Sequence, residues 1–380
     1  MRVAFTTLAP FISGAERSLQ VMLRHLPAAG VEPVVVGPAD AKIVPWCKAN
    51  GFPFRECPLA FRDKWHPLRW WRSVRRLRRL FREERIELVH ANQMWSYPAA
   101  GAAGLDLGLP RICHLRDEAS PETLHWLCAA GLEAAVCISR HMARQAEAAW
   151  PDGPGRPRIE TLINPVELPE LPDQPTQERL RAEARRSLGV PDGATVFGFI
   201  GQLREVKGLL ELLDALAHLP GERPWHLLVA GRDPNAGAPY EQLARQRAEQ
   251  PDLAGRVHFL GFLEDPAPFY RAIDLAIVPS RQEPLGRVPL EAAAFARPSV
   301  AFAVGGLVDT IRDGQTGWLV PAGDWPALTA TLNGFLTEPA VEFGTAARAW
   351  VEQTAEPAAY ARRLAGLYQQ LRSPAWAKSA

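Results

Sequence analysis

The chain has 380 residues, of which 47% are hydrophobic and 22% charged, and its formal net charge is +1 at pH 7. This composition is typical of a soluble globular protein, and the length exceeds what one hydrophobic core usually organises, so two domains of roughly 170 to 190 residues are expected. The near-zero net charge argues against an overall basic nucleic-acid-binding protein, and no nucleic-acid partner is expected.

Short apolar runs rich in β-branched residues alternate with helical patterns along the chain. The runs are RVAFTT, EPVVVG, ELVHAN, RICHL, AAVCIS and IETLIN in the first half, and TVFGFIG, WHLLVAG, RVHFLG, LAIVPS, PSVAFAV and GWLVP in the second. Continuous apolar runs of this kind are typical of strands buried on both faces of a parallel sheet. Each half is therefore predicted to be a doubly wound, Rossmann-like α/β domain.

A basic segment lies within the first half. Residues 62–85 contain ten Arg or Lys against three acidic residues. Trp70, Val74, Leu77 and Phe81 recur at intervals of three to four, which predicts a basic amphipathic helix. Two interpretations are left open: the apolar stripe packs on the first domain and the arginines are only solvated, or the helix also contacts an anionic membrane surface.

A proline-rich stretch separates the two halves. Residues 164–177, NPVELPELPDQPTQ, contain four prolines and no periodicity, which favours an extended connector over a helix or a strand. The predicted domains are residues 1–175 and 176–355. The tail, residues 356–380, has apolar residues at helical spacing, and it either completes the second domain or packs back on the first.

The five cysteines are scattered and include no C-x-x-C pair, which suits small buried side chains in a reducing compartment. The N-terminal stretch MRVAFTTLAP breaks at Pro10 and does not resemble a signal peptide. No apolar run approaches the roughly 20 residues that span a bilayer. A cytoplasmic location is therefore expected, with peripheral attachment at the inner face of the plasma membrane if the basic helix contacts lipid.

Two loops that follow predicted strands carry the residue types of phosphate sites. After the first strand, Ser13 is a candidate helix cap and Gly14 permits close approach of the backbone to a phosphate. In the second half, a loop with Arg204 and Lys207 leads to Gly208 and an amphipathic helix. Cations beside a helix N-terminus suit phosphate binding; an ordinary solvated loop is the alternative.

The stretch RQEPLGRVPLEA, residues 281–292, carries two carboxylates eight positions apart. Pro289 is tolerated only near a helix start, so the helix is predicted to begin around residues 285–288. Glu283 then lies in the loop at the carboxyl end of a strand, and Glu291 lies about one turn into the helix.

The predicted start of this helix would make an anion site from the backbone amides of Leu285, Gly286 and Arg287. A pyrophosphate bound there would leave Glu291 near an attached ribose and Glu283 near the group beyond the phosphate. The alternative is that Glu291 is an ordinary first-turn carboxylate and Glu283 a solvated loop residue.

Three stretches together carry a family resemblance: EPLGRVPLEAAAFARPSVAFAVGGLVDTIRDGQTGWLVPAGD from Glu283, with GQLREVKG and SGAER upstream. In this order they resemble the retaining glycosyltransferases of family 4, which adopt the GT-B fold of two Rossmann-like domains facing across a cleft. The resemblance implies transfer of a sugar from a nucleotide-diphosphate sugar, with a UDP-sugar the expected donor. The acceptor would be a glycan or a lipid-linked molecule in bacterial envelope polysaccharide synthesis, for example of lipopolysaccharide.

The resemblance also implies roles for individual residues. Glu291 would bind the ribose hydroxyls, Glu283 the hydroxyls of the donor sugar, and Lys207 would neutralise the diphosphate. Backbone amides at Gly14 and at the helix start after Glu283 would hold phosphate oxygens. His114, in RICHLRD, would touch the donor sugar; a satisfied histidine at a strand end is the alternative. The first domain would select the acceptor and the second would bind the donor.

The sequence departs from the family pattern at Gln202, where the family usually has Arg, and Arg204 stands two residues on; whether Arg204 reaches the phosphate instead is left open. No D-x-D motif occurs, so no divalent metal or other cofactor is expected, and Lys207, an arginine and the amide dipoles would carry the charge of the leaving group. Glu283 is not assigned as a covalent nucleophile. A catalytically idle GT-B scaffold that binds a nucleotide or glycan is the alternative function.

Overall fold

The computed structural model describes residues 1–62, 65–191, 193–221 and 223–372. The chain divides into two compact units: unit 1 contains Met1–Val166 and the chain from Ala355 onward, and unit 2 is Glu167–Thr354. The division falls at Val166 rather than near residue 175. Part of the predicted connector is helical, because Asp173 caps a helix that begins at Gln174 and accommodates the next proline in its first turn.

Unit 1 begins with strands and helices in alternation. The strands are β1 (Arg2–Thr6), β2 (Glu32–Gly37), β3 (Phe54–Glu56), β4 (Leu88–Ala91), β5 (Arg111–Leu115), β6 (Ala134–Cys137) and β7 (Arg158–Thr161). The helices are α1 (Gly14–His25), α2 (Val44–Ala49), α3 (Pro67–Glu83), α4 (Tyr97–Asp106), α5 (Pro121–Leu127) and α6 (Arg140–Ala149).

Unit 2 continues the alternation, and one more helix then returns the chain to unit 1. The strands of unit 2 are β8 (Thr195–Ile200), β9 (Trp225–Ala230), β10 (Val257–Gly261), β11 (Leu275–Val278), β12 (Ser299–Phe302) and β13 (Gly317–Val320). The remaining helices are α7 (Gln174–Ser187), α8 (Leu209–Ala217), α9 (Pro239–Ala248), α10 (Ala267–Ala272), α11 (Arg287–Ala294), α12 (Trp325–Thr337), α13 (Val341–Thr354) and, in unit 1, α14 (Pro357–Arg372).

Both sheets of the described chain are parallel and doubly wound, as predicted. Their strand orders are β3-β2-β1-β4-β5-β6-β7 in unit 1 and β10-β9-β8-β11-β12-β13 in unit 2. The order reverses between β1 and β4 and again between β8 and β11, and such switch points are where open α/β sheets bind ligands. All twelve apolar runs form strands; β3 is additional and was missed because its three residues contain no apolar run.

The C-terminal helix α14 packs back on unit 1, which is one of the two placements that the sequence left open. Its buried side chains Leu364 and Tyr368 belong to the same hydrophobic cluster as Leu19 and Met22 of α1. Most of the apolar face of α14 therefore lies inside the core of the first unit.

The basic segment forms the predicted amphipathic helix as α3. Val74, Leu77 and Phe81 are buried and belong to a cluster with β2 and α4 side chains, while Trp70 is partly buried against it. Asp63 and Lys64, at the start of the predicted segment, lie outside the described residues. The apolar stripe therefore packs on unit 1, and its packing leaves the polar face of the helix open to solvent.

The five cysteines all lie in the described part of the chain, where they are buried and free. Burial raises the pKa of the Cys47 thiol to about 11, as expected when a thiolate would have to form in apolar surroundings. Among the described helices, none is both long and apolar enough to cross a bilayer.

Candidate functional site

The loops that follow β8 and β11 meet at the switch point of unit 2. The N–H of Arg281 donates to the carbonyl of Val206 over 2.8 Å, which joins the two loops directly. Gly208 makes this approach possible: its φ is +72°, and a Cβ there would lie 2.5 Å from the carbonyl oxygen of Pro279. The close approach places the side chain of Lys207 beside the loop that carries Glu283.

Lys207 and Glu283 form an ion pair at this junction. The Nζ–Oε2 distance is 2.5 Å, and the two side chains are 25% and 16% exposed. The hydroxyl of Ser280 lies 3.4 Å from the same carboxylate oxygen. An ammonium group has three N–H donors, and Glu283 is the partner that the described residues provide. Lys207 can therefore keep this contact while donating to an anionic ligand.

The helix after Glu283 begins at Arg287, within the predicted window. Gly286 is its N-cap and has φ +90°, and a Cβ there would lie 2.4 Å from a methyl carbon of Leu307. Within the described chain, no protein group accepts a hydrogen bond from the backbone N–H groups of Leu285 or Gly286. These donors at a helix start are suited to phosphate oxygens.

Glu291 is held by two side chains. The Tyr270 hydroxyl donates to Oε2 over 2.7 Å, and the Arg287 guanidinium donates to Oε1 from Nη2 at 2.9 Å and from Nε at 3.1 Å. A carboxylate has about four acceptor sites, and three are occupied here. These contacts orient the group and leave about one site, on Oε2, for a ligand hydroxyl, so a second hydroxyl would have to replace one of the Arg287 N–H donors. Sequence reasoning used only the amide of Arg287; the i,i+4 spacing with Glu291 was the signal for its side chain.

A pair of glycines forms the wall behind the loop of Glu283. The N–H of Gly306 donates to the carbonyl of Glu283 over 2.8 Å. A Cβ on Gly305 would lie 2.1 Å from that carbonyl oxygen, and one on Gly306 would lie 2.5 Å from the Cα of Leu285. Only glycine fits at either position, so the pair fixes the path of the loop.

Arg204 and Gln202 lie in the loop after β8. Arg204 is exposed and forms no ion pair with a described residue, while Gln202 is half-buried. The guanidinium is therefore available to a ligand, and its contact with a phosphate stays a prediction.

His114 lies in β5 of unit 1 and is completely buried. Its Nδ1 is 3.1 Å from Nη2 of Arg116 and 3.2 Å from Nε2 of His90, and Nδ1 of His90 is 2.6 Å from the hydroxyl of Tyr368. Burial, reinforced by Arg116, lowers the pKa of His90 to about 3 and holds the pKa of His114 well below its usual range. Both rings are therefore neutral at physiological pH.

Gly14 is the first residue of α1. Ser13 and Glu16 form a capping box: Ser13 Oγ accepts from the N–H of Ala15, and Glu16 accepts from the N–H of Ser13. A phosphate at Gly14 would lie beside the buried carboxylate of Glu16, so this helix start is less favourable to an anion than that of α11. The role of Gly14 stays a prediction.

A cavity of about 290 Å³ lies at the opposite, amino-terminal edge of the unit 2 sheet. It is lined by Arg181, Arg185 and Asp274, and both arginines donate to the carboxylate of Asp274, which also accepts from the N–H of Val196. These contacts attach α7 to the sheet. The cavity is therefore explained by structural ion pairs, and the candidate site remains the switch point.

Two family models match the chain, one in each unit. The model of the group 1 glycosyl transferases matches residues 181–356, and the model of the glycosyl transferase 4-like domain matches residues 13–154. The first match contains Lys207, Glu283 and Glu291, and the second contains Gly14 and His114.

Curated relatives match about two-fifths of the chain. The D-inositol 3-phosphate glycosyltransferase of Corynebacterium urealyticum is 34% identical over 43% of this chain and 40% of its own. The lipopolysaccharide core biosynthesis mannosyltransferase LpsB of Rhizobium meliloti is 32% identical over 42% of this chain and 46% of its own. The chain thus spans less than half the length of these relatives.

Solved structures match nearly the whole chain. Anabaena HepE in complex with UDP is 22% identical and has a TM-score of 0.84. The match covers 97% of this chain and 100% of the HepE chain. WaaG, a glycosyltransferase involved in lipopolysaccharide biosynthesis, is 18% identical, with a TM-score of 0.70 over 96% and 99% of the two chains. The likenesses to solved structures show that the chain has the GT-B fold. The two family models show that it is built from a glycosyl transferase 4-like domain, residues 13–154, and a group 1 glycosyl transferase domain, residues 181–356.

Proposed function

We propose that the protein is a retaining glycosyltransferase that moves a sugar from a nucleotide-diphosphate sugar to a glycan or lipid-linked acceptor. The observation that carries this proposal is the meeting of Lys207 and Glu283 at the switch point of unit 2. The bridged carboxylate of Glu291 and the free amides before α11 support it. HepE was solved with UDP and with UDP-glucose, which makes UDP-glucose the first donor to test.

The proposed roles follow from the charges at the site. The diphosphate lies at the N-terminus of α11 and against Lys207, which together offset the negative charge that grows on the leaving group. Glu291 accepts from the two ribose hydroxyls, and Glu283 accepts from hydroxyls of the sugar. Retention of configuration is proposed to follow from attack on the face that the diphosphate leaves, with no covalent role for Glu283.

The site is proposed to work without a divalent metal. Lys207 supplies a full charge and the amides of Leu285 and Gly286 supply dipoles where the diphosphate would lie. Arg204 is available to add a second full charge. This set can replace the cation that otherwise neutralises a departing diphosphate.

Donor turnover in the absence of acceptor tests the proposal. Incubation with UDP-glucose, GDP-mannose and ADP-glucose is expected to release nucleotide slowly and continuously from one of them, because water replaces the acceptor. EDTA is expected to leave this rate unchanged. Binding without release from any donor would instead favour the idle scaffold, and loss of release in EDTA that Mg²⁺ restores would contradict the metal-free site.

We also propose that α3 contacts an anionic membrane, which would bring the site to a lipid-linked acceptor. Three large apolar side chains project at its N-terminal end or just before it: Trp65, which precedes the helix, Leu68 and Trp71 are 77%, 68% and 59% exposed. The rest of the solvent face is basic, with exposed arginines at Arg69, Arg72, Arg75, Arg76, Arg79 and Arg82. Insertion of the apolar end and attraction of the arginines to lipid phosphates would act together.

Vesicle co-sedimentation tests the membrane contact. Binding is expected to vesicles of phosphatidylcholine with roughly 30% phosphatidylglycerol, an anionic fraction that gives a strong negative surface potential. No binding is expected to vesicles of phosphatidylcholine alone. The double change Arg72→Gln/Arg76→Gln should weaken binding roughly 20- to 30-fold, at about 1 kcal/mol per arginine. Arg179→Gln/Arg186→Gln removes the same charge from exposed positions of α7 and should have little effect. Equal loss in both pairs would refute a specific role of α3.

A further inference from the structure

A chain of buried polar groups runs from the C-terminal helix to the candidate sugar-binding histidine. Tyr368 of α14, His90 of β4 and His114 of β5 are each 0% exposed, and Arg116 is 5% exposed. The contacts are Tyr368 Oη to His90 Nδ1 at 2.6 Å, His90 Nε2 to His114 Nδ1 at 3.2 Å, and Arg116 Nη2 to His114 Nδ1 at 3.1 Å. All four residues belong to unit 1.

With both rings neutral, only one arrangement of protons satisfies these contacts. A guanidinium can donate but cannot accept, so the contact with Arg116 requires a lone pair on His114 Nδ1. That lone pair requires His90 to donate from Nε2, and a neutral His90 then has its lone pair on Nδ1. The Tyr368 hydroxyl fills that position as a donor. The reverse arrangement would place two lone pairs, or two N–H groups, against each other.

The same arrangement leaves the proton of neutral His114 on Nε2. This atom is buried and has no hydrogen-bond partner among the described residues. Buried polar atoms are nearly always paired, and an exception calls for an explanation such as a missing ligand. The Nε2–H group lies near the carboxyl end of β5, the sheet edge at which parallel α/β folds bind ligands.

We infer that His114 serves its ligand only as a hydrogen-bond donor through Nε2–H, and that His90 and Tyr368 are positioning residues that fix its proton and its ring orientation. The inference rests on the proposed function, in which the ligand group is a hydroxyl of the donor sugar. It excludes His114 as a general base, because its remaining nitrogen is blocked by two donors. Through Tyr368, α14 therefore also contributes to the orientation of His114.

Nitrogen-15 NMR of the histidine rings tests the proton arrangement without any substrate. Both His114 and His90 are expected to be neutral Nε2–H tautomers between pH 5.5 and 8, a window that we set well above the lowered pKa values of these rings. Among the described residues, Arg116 is the charged group that acts on both rings, Tyr368 contacts His90, and Tyr360 acts on Tyr368. An Nδ1–H tautomer at His114, or protonation of either ring in this window, would overturn the inference.

Two matched tyrosines of α14 test the positioning role. Tyr368→Phe removes the hydroxyl that holds His90, whereas Tyr360→Phe removes a buried hydroxyl that has no partner among the described residues. Tyr368→Phe should lower kcat for UDP-glucose release about fivefold, the worth of one neutral hydrogen bond, with KM unchanged. It should also alter the His90 ring signals, whereas Tyr360→Phe should change neither. Equal kcat values and equal spectra in the two variants would refute the role.

Replacement of His114 itself distinguishes the effect of its hydrogen-bond donor from the effect of its size. His114→Gln keeps an N–H donor of similar reach and should retain part of the activity, whereas His114→Leu should lose at least tenfold more, because no donor remains. Equal activity in the two variants would refute donation. If no nucleotide sugar is turned over by the unmodified protein, the proposed function fails, while the ring spectra still decide the proton arrangement.

Discussion

Replacing Lys207 with alanine is expected to lower kcat for donor turnover by about 10²- to 10³-fold, the usual effect of removing one group that stabilises transition-state charge. Lys207 is the one full positive charge that the described structure places in contact with Glu283. Its loss leaves the departing diphosphate with backbone dipoles alone, apart from any contribution of Arg204. Nucleotide release from UDP-glucose, or from whichever donor is turned over, measures the effect. Lys48→Ala removes an exposed lysine of unit 1 and should leave the rate unchanged.

The partner of Lys207 provides the second control for this experiment. Lys207→Ala leaves the partly buried carboxylate of Glu283 without its cationic partner, so a small fall in Tm is expected. Adding Glu283→Gln should restore Tm without restoring turnover. Turnover that recovers together with Tm would show that the lysine acts only through the stability of the loop.

Replacing Glu291 with alanine should reduce kcat/KM for the donor by at least about 10²-fold, mainly through KM. The reason is that two hydrogen bonds from ribose hydroxyls to a charged acceptor are lost, each worth about 1.5–3 kcal/mol. Binding of UDP, measured by calorimetry, should weaken in parallel because the ribose belongs to the nucleotide. Unchanged UDP affinity would contradict the ribose role.

A matched control separates the loss of ligand contacts from the loss of a helical ion pair. Glu352 pairs with Arg348 at the same i,i+4 spacing and in the same order on α13. Glu352→Ala should therefore reproduce any cost of breaking such a pair and leave UDP binding intact. Glu291→Gln, which keeps one carbonyl acceptor, should fall between the unmodified protein and Glu291→Ala.

The sequence predicted the strands well because each buried parallel strand requires a continuous apolar run, which is a local pattern. The prediction failed where the structure depends on distant partners. β3 is held by pairing with β2 and by packing of Phe54 against the hydrophobic core of unit 1. Its own three residues carry no apolar pattern that would predict a strand. The placement of α14 was undecided because helical spacing shows that a helix has an apolar face but not which core covers that face.

The same reasoning explains which candidate site residues the sequence could indicate. Lys207, Glu283 and Glu291 stand beside glycines and prolines at fixed spacing, so a local motif exposes them. Tyr270 is far from Glu291 along the chain and reaches it only because α10 and α11 are neighbours in the fold. His90 is an ordinary residue of a predicted strand until the register of β4 beside β5 places it near His114.

The return of the chain to unit 1 through α14 has a consequence for biosynthesis. A ribosome releases the strands of unit 1 before those of unit 2, yet Leu19 and Met22 lack the side chains of Leu364 and Tyr368 that complete their cluster until α14 emerges. Unit 2, which is one continuous segment, needs nothing that is translated later. Unit 1 is therefore completed only after unit 2, and a nascent chain stalled before residue 357 presents an uncovered apolar face to chaperones and proteases.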